Sequence, residues 1–217
     1  FSKEAYTFID LLEEAGQSYW QILPLGPTGY GDSPYQSFST FAGNPYYIDL
    51  ESLVEAGYLT KEDCEQYDFG DDDAYVDYEK IYLSRFKVLK KAFQNSQIKK
   101  DEAYQKFTQE NAYWLEDYAL YMAVKNAFGG KSWAEWDEDI KLRKEAAMKK
   151  YAAEYAEEVA FYQFQQYLFA KQWFALKNYA NKKKIEIIGD IPIYVAFDSS
   201  DTWANPELFQ LDETLTP

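Results

Sequence analysis

Two carboxylates in this chain sit where they could take part in chemistry, Asp190 and Asp32. Asp190 lies in "IIGDIPIYV", directly after a short apolar run and between Gly189 and Ile191. In such surroundings a carboxyl is expected to be partly desolvated, which raises its pKa, whereas a nearby arginine would lower it. The plain alternative is a carboxylate that caps a turn. Asp32 is the sole charged residue from Gly16 to Ile48, although the chain as a whole is 27% charged. Around it, residues 22–48, "ILPLGPTGYGDSPYQSFSTFAGNPYYI", carry four glycines, four prolines and six aromatic residues. A sugar ring presents an apolar face of C–H groups and a rim of hydroxyls. Flat phenol and phenyl faces with a few Asp, Ser, Asn and Gln neighbours suit it, and dense charge does not. Gly26, Gly29, Gly31 and Gly43 permit tight or left-handed turns. Pro34 biases Ser33 towards an extended shape that would aim Tyr35 consistently. The competing reading is that the rings at Tyr30, Tyr35, Phe38, Phe41, Tyr46 and Tyr47 are core packing under a long loop.

Composition removes several other chemistries. The chain has 217 residues, enough for one large or two small domains with a sizeable core, and 19% of them are aromatic, which argues against disorder. A net charge of −15 opposes binding to phosphate backbones and to anionic lipid surfaces, so neither nucleic acid nor membrane is expected as a partner. There is no histidine, which excludes a histidine base and disfavours zinc. Cys64 is the single cysteine, so no intrachain disulfide forms and a cytoplasmic location is expected. "GPTGYG" has the wrong glycine order for a dinucleotide site, and no Walker motif is present. Residues 71–73, three aspartates, read as a solvated loop without the ligand spacing of a calcium loop. The chain opens on Phe1 rather than Met, which suggests a cut or missing N-terminus; no signal-peptide pattern follows.

The elements that must position these residues follow from periodicity and punctuation. Residues 2–15 read as a helix with Ser2 as N-cap, an apolar face of Ala5, Phe8, Ile9 and Leu12, and Gly16 as its stop. "YWQILPL" at 19–25 and residues 185–188 read as short buried strands. Residues 46–50 form a second possible strand early in the chain. Between Pro45 and Pro192 there is no proline, and the interval reads as mostly helical. A long helix is expected from Asp101 to Gly129–Gly130. Another runs from about 138 to 180, with a stripe through Val159, Tyr162, Gln166, Phe169, Trp173, Leu176 and Ala180. Asp198, Ser199 and Asp201 read as capping chemistry ahead of Trp203. Helices alternating with apolar strands imply parallel β/α units carrying a helical insertion, and both unusual loops then leave the C-terminal ends of strands, where such folds build their sites.

Two runs carry a family resemblance. "YWQILPLGPTGYGDSPYQSFSTFAGNPYYIDL" at 19–50 and "IEIIGDIPIYVAFDSSDTWANPELFQLDE" at 185–213 closely resemble the amylomaltases, the 4-α-glucanotransferases also called disproportionating enzymes. The resemblance implies an α/β chain that is the N-terminal portion of a (β/α)8 barrel with a large helical insertion. Residues 1–60 would hold the first β/α units, 61–155 the insertion, and 156–217 a barrel helix, a strand and the Asp190 loop. It implies a retaining enzyme that passes α-1,4-glucan segments to the 4-hydroxyl of an acceptor sugar, through a carboxylate nucleophile and a second carboxyl acting as acid and base. No cofactor and no metal are implied; maltooligosaccharides and α-1,4-glucans are the implied partners. Tyr35 matches the tyrosine that stacks on the sugar being cleaved. Asp190 matches the acid that orients an arginine and the nucleophile without attacking. Asp32 and Ser33 lie beside the groove, and Tyr30 is an outer glucan contact. The nucleophile, the acid/base glutamate and a substrate-holding histidine are expected beyond residue 217. An α-glucan hydrolase of the same clan, or a carbohydrate-binding or helical interaction module without catalysis, are the competing functions.

Overall fold

The computed structural model describes residues 1–217 apart from Tyr30, Asp73 and Ile193. Ten helices are found among these residues: α1 (Lys3–Glu14), α2 (Glu51–Glu55), α3 (Lys61–Glu65), α4 (Tyr78–Asn95), α5 (Glu102–Glu110), α6 (Ala112–Ala127), α7 (Glu138–Lys141), α8 (Glu145–Glu154), α9 (Ala156–Lys182) and α10 (Ser200–Ala204). Two short strands, β1 (Tyr19–Gln21) and β2 (Glu186–Ile188), and four single 3-10 turns accompany them. The chain is therefore a mostly helical α/β protein with a small sheet. No helix among the described residues is long and apolar enough to cross a membrane.

The chain divides into two compact units. The first comprises residues 1–23, 44–105 and 164–190. Its sheet pairs β1 with β2 in parallel, with Tyr19 opposite Glu186 and Gln21 opposite Ile188. Backbone bonds extend the pairing on both sides, from Glu186 N–H to Ser18 O and from Ile22 N–H to Ile188 O, each 2.9 Å. Below it, α1 packs on the C-terminal half of α9 through Ile9, Leu176, Ala180 and Ile185, all buried. The register of α1 follows from its apolar spacing, and Gly16 ends it in the left-handed region that glycine tolerates (φ +69°). Tyr179 Oη donates to Asp10 at 2.7 Å and Lys183 pairs with Asp10 and Glu13, which fastens the far ends of the two helices.

The second unit comprises residues 24–43, 106–163 and 191–217. Its core is built from rings: Tyr121, Trp133, Trp136, Tyr151 and Trp203 pack with Leu120, Val124 and Ile140. Trp203 Nε1 donates to Ile140 O at 3.1 Å, so the indole is buried without losing its hydrogen bond.

Several sequence expectations are corrected. Residues 45–47 form a 3-10 turn, not a strand, because Asn44 accepts the Tyr46 N–H at 2.9 Å and Pro45 suits the first helical position. The single helix expected from Asp101 to Gly129 is two. Asn111 interrupts it, donating its amide to Phe107 O and accepting from Trp114 Nε1. The helix expected from 138 to 180 is three, broken first at Arg143, which adopts φ +52°. That costly conformation is held because the guanidinium reaches Asp117 at 2.6 Å and lies 4.4 Å over the Trp203 ring. The strands are shorter than expected and not buried: in both, the central residue alone is shielded, and Ile188 is 48% exposed.

Burial also sets a pH response. The hydroxyls of Tyr118 and Tyr121 are pushed well above the ordinary tyrosine range by desolvation, with Asp198 adding to the effect at Tyr121. Desolvation likewise pushes Tyr104 up to about 12. A raised folded pKa keeps these phenols protonated while the unfolded chain ionises, so their contribution is whole below pH ~10 and is lost as pH climbs from there towards ~12. The expected result is a denaturant midpoint that is flat from pH 7 to 9 and falls steeply by pH 11. A flat profile to pH 11 would show that these rings gain solvent access.

Candidate functional site

The neutral segment after β1 forms a stitched hairpin in the second unit. Thr28 and Ser37 make an isolated antiparallel bridge at its base, and Gly29 N–H donates to Gln36 O at 3.4 Å. Above the base, two tight turns follow one another. Asp32 N–H donates to Gly29 O at 3.2 Å, and Gln36 N–H donates to Ser33 O at 3.2 Å. Gly31 and Asp32 both have left-handed backbone, at φ +86° and +53°, which glycine adopts freely and aspartate more readily than most residues. Pro34 stands second in the later turn, a position its fixed φ favours. Tyr35 comes next, with its N–H directed at Ser33 Oγ (3.4 Å) and its side chain 44% exposed.

Serines hold the return strand of this loop. Ser37 Oγ donates to Ser39 O at 2.7 Å, and Ser39 Oγ accepts the N–H groups of Phe41 and Ala42. Both serines are buried. A β-carbon on Gly26 would lie 2.8 Å from Ser37 Oγ, so any side chain there would force the Ser37 hydroxyl from its bond to Ser39 O. The rings divide: Phe38 is half-buried against the aromatic core, while Tyr35, Phe41 and Tyr47 are exposed. Core packing accounts for Phe38 and leaves the Tyr35 ring open to solvent.

The segment after β2 belongs to the same unit from Ile191 onward, and it is bound to this loop. Asp201 accepts from Thr40 N–H (3.0 Å) and Thr40 Oγ1 (2.9 Å). Phe38 O accepts from Ser200 N–H (2.8 Å) and Ser200 Oγ (3.0 Å). Ser199 caps α10 by accepting the Thr202 N–H, as its place before Trp203 suggests. Asp198 does something the sequence does not announce. Its carboxylate accepts from Lys125 Nζ, from Tyr121 Oη at 2.6 Å and from Trp133 N–H at 3.2 Å. No local spacing reveals this, since its partners lie more than 60 positions away; the usable signal is a Lys inside an otherwise apolar helical stretch, "YALYMAVKNA".

Asp32, Ser33 and Tyr35 are thus brought together in one loop. Asp190 follows β2 at the end of the first unit and is exposed, not shielded as expected, because its neighbours Gly189 and Ile191 are exposed as well. Tyr30 lies outside the described residues. Among those residues no cluster of acids and cysteine is arranged to hold a metal ion.

A family model described as 4-alpha-glucanotransferase matches residues 1–216. A 4-alpha-glucanotransferase of Clostridium butyricum is 55% identical over the whole chain, and one of Thermus thermophilus is 50% identical over 99% of it. The solved amylomaltase from Streptococcus agalactiae in complex with acarbose superposes over the full chain with a TM-score of 0.95 at 45% identity. The chain spans 45% and 43% of the two relatives' lengths and 44% of the solved chain.

Proposed function

Because the chain belongs to the 4-alpha-glucanotransferase family, we propose that the complete protein transfers α-1,4-glucan segments between maltooligosaccharides. The observation that carries this reading is the bond pattern joining the two post-strand segments. Within the second unit, the segments that follow β1 and β2 in the chain are locked together by Thr40–Asp201 and Phe38–Ser200. In β/α folds the segments that follow the strands build the substrate site. The sheet is, in this reading, the opening of a (β/α)8 barrel whose other strands come from the rest of the protein. The solved relative was captured with acarbose, a mimic of a short α-glucan, which supports an oligosaccharide for this chain too.

Tyr35 would offer its exposed face to the sugar being cleaved, with Asp32 and Ser33 shaping the turns that present it. Asp190 is assigned a supporting role, orienting the groups of a retaining double displacement without attacking the sugar. No residue of this chain is assigned as nucleophile or acid/base. The test is maltotriose incubated with the complete protein. Glucose should be released while the total number of reducing ends stays constant, because each cleavage is repaid by a transfer. A steady rise in reducing ends would make the protein a hydrolase, and no glucose release would remove the reading altogether.

A further inference from the structure

We infer that Lys125, clamped by Asp198 and set over the ring of Phe38, is a positioning residue for Tyr35. The inference rests on the reading of Tyr35 as a sugar platform. Lys125 lies near the end of α6, and its side chain is only 10% exposed. All three ammonium hydrogens are spent inside the protein. Nζ donates to Asp198, to Gly130 O at 3.0 Å and to Lys131 O at 3.2 Å. The two carbonyls turn inward because Gly129 and Gly130 both take left-handed backbone, at φ +68° and +82°. An ammonium so held has little freedom to move.

The same ammonium stands 5.3 Å from the centre of the Phe38 ring, within cation–π range. Phe38 is fixed at its other end by the two Ser200 bonds to its carbonyl. Its ring tip faces Gly29, where a β-carbon would lie 3.4 Å from Cζ, at ordinary van der Waals distance. Gly29 in turn closes the hairpin through Gln36 O, and Asp32, Ser33 and Tyr35 lie between those two residues. A connected series therefore runs from Asp198 through Lys125 and the Phe38 ring to Gly29 and the turns that carry Tyr35. Every contact in it falls inside one compact unit.

A lysine that only stabilised the fold would affect activity independently of Tyr35. One that acts through Tyr35 would not, because coupled residues depart from additivity. The experiment uses the complete protein as wild type, Lys125→Met, Tyr35→Ala and the double variant, with kcat and KM for maltotriose measured well below the melting temperature. Lys125→Met should lower kcat/KM by about 10-fold when Tyr35 is present, since small misplacements at a reacting centre carry penalties of that order or more. In the Tyr35→Ala background the same change should cost less than about 2-fold. Equal losses in both backgrounds, or none in the first, would overturn the inference. A second readout keeps the two readings apart: 3-fluorotyrosine placed at position 35 and followed by 19F NMR without any sugar. Lys125→Met should split or broaden its single resonance. An unchanged resonance overturns the positioning role whatever the kinetics. A changed resonance with a fully active Tyr35→Ala variant sinks the platform reading instead.

Discussion

Tyr35→Ala in the complete protein is expected to lower kcat/KM for maltotriose by about 30- to 100-fold, roughly 2–3 kcal/mol, the scale of one well-stacked ring and the area it covers. Tyr35 is 44% exposed at the top of a hairpin closed by its own backbone bonds, so its replacement is a surface substitution. The melting temperature should accordingly stay within the shift of about 0.5 kcal/mol typical of surface substitutions. Tyr35→Phe separates face from hydroxyl. If stacking dominates, the phenylalanine variant keeps activity within about fivefold of wild type, a loss of ~1 kcal/mol at most. A Tyr35→Ala variant within twofold of wild type would remove this loop from the substrate site.

The second large effect is on stability, and it is asymmetric. Asp198→Ala leaves an ammonium that is 10% exposed facing two carbonyls, and it strips acceptors from Tyr121 Oη and Trp133 N–H. Breaking a buried pair from that side is expected to cost about 3–5 kcal/mol. Lys125→Met leaves a carboxylate whose side chain is 30% exposed and which still accepts from Tyr121 and Trp133. Its loss should stay at roughly 1.5–3 kcal/mol, the range for a hydrogen bond to a charged partner. Urea unfolding midpoints of the two variants give the comparison directly. Equal losses, or a larger one for Lys125→Met, would mean that Asp198 is not the group that keeps the lysine inside. The double variant should lose less than the two singles combined, because removing both charges leaves neither stranded.

The sequence made some of this legible and hid the rest for definable reasons. The helix stop at Gly16 and the cap at Ser199 depend on neighbours in the chain, so periodicity and punctuation found them, while the parallel pair is long-range and followed from the alternation of helices with apolar strands. The turn at 45–47 was masked because "YYIDL" has strand-like composition while a single side chain, Asn44, selects the 3-10 form. The helix break at Arg143 is paid for by Asp117 and Trp203, 26 and 60 positions away, and no local rule anticipates a left-handed arginine. At the site, the ring-rich neutral loop and Asp190 stood out through composition and placement. The clamp at Asp198 did not, since it looks like one more capping acid among "DSSD". Asp190 was expected to be shielded because it follows an apolar run and stands between Gly189 and Ile191; both of those neighbours are themselves exposed and cover nothing.

The interleaving of the two units has a bearing on how the polypeptide is made. β1 is translated well before its partner β2, which follows only after the helical stretch that separates them. Closure of the sheet is thus a late event with high contact order, and the second unit, whose last segment starts at residue 191, ends later still. During that interval the helical stretch has to hold itself together while "YWQILPLG" waits unpaired, so this apolar segment is the one a chaperone would meet.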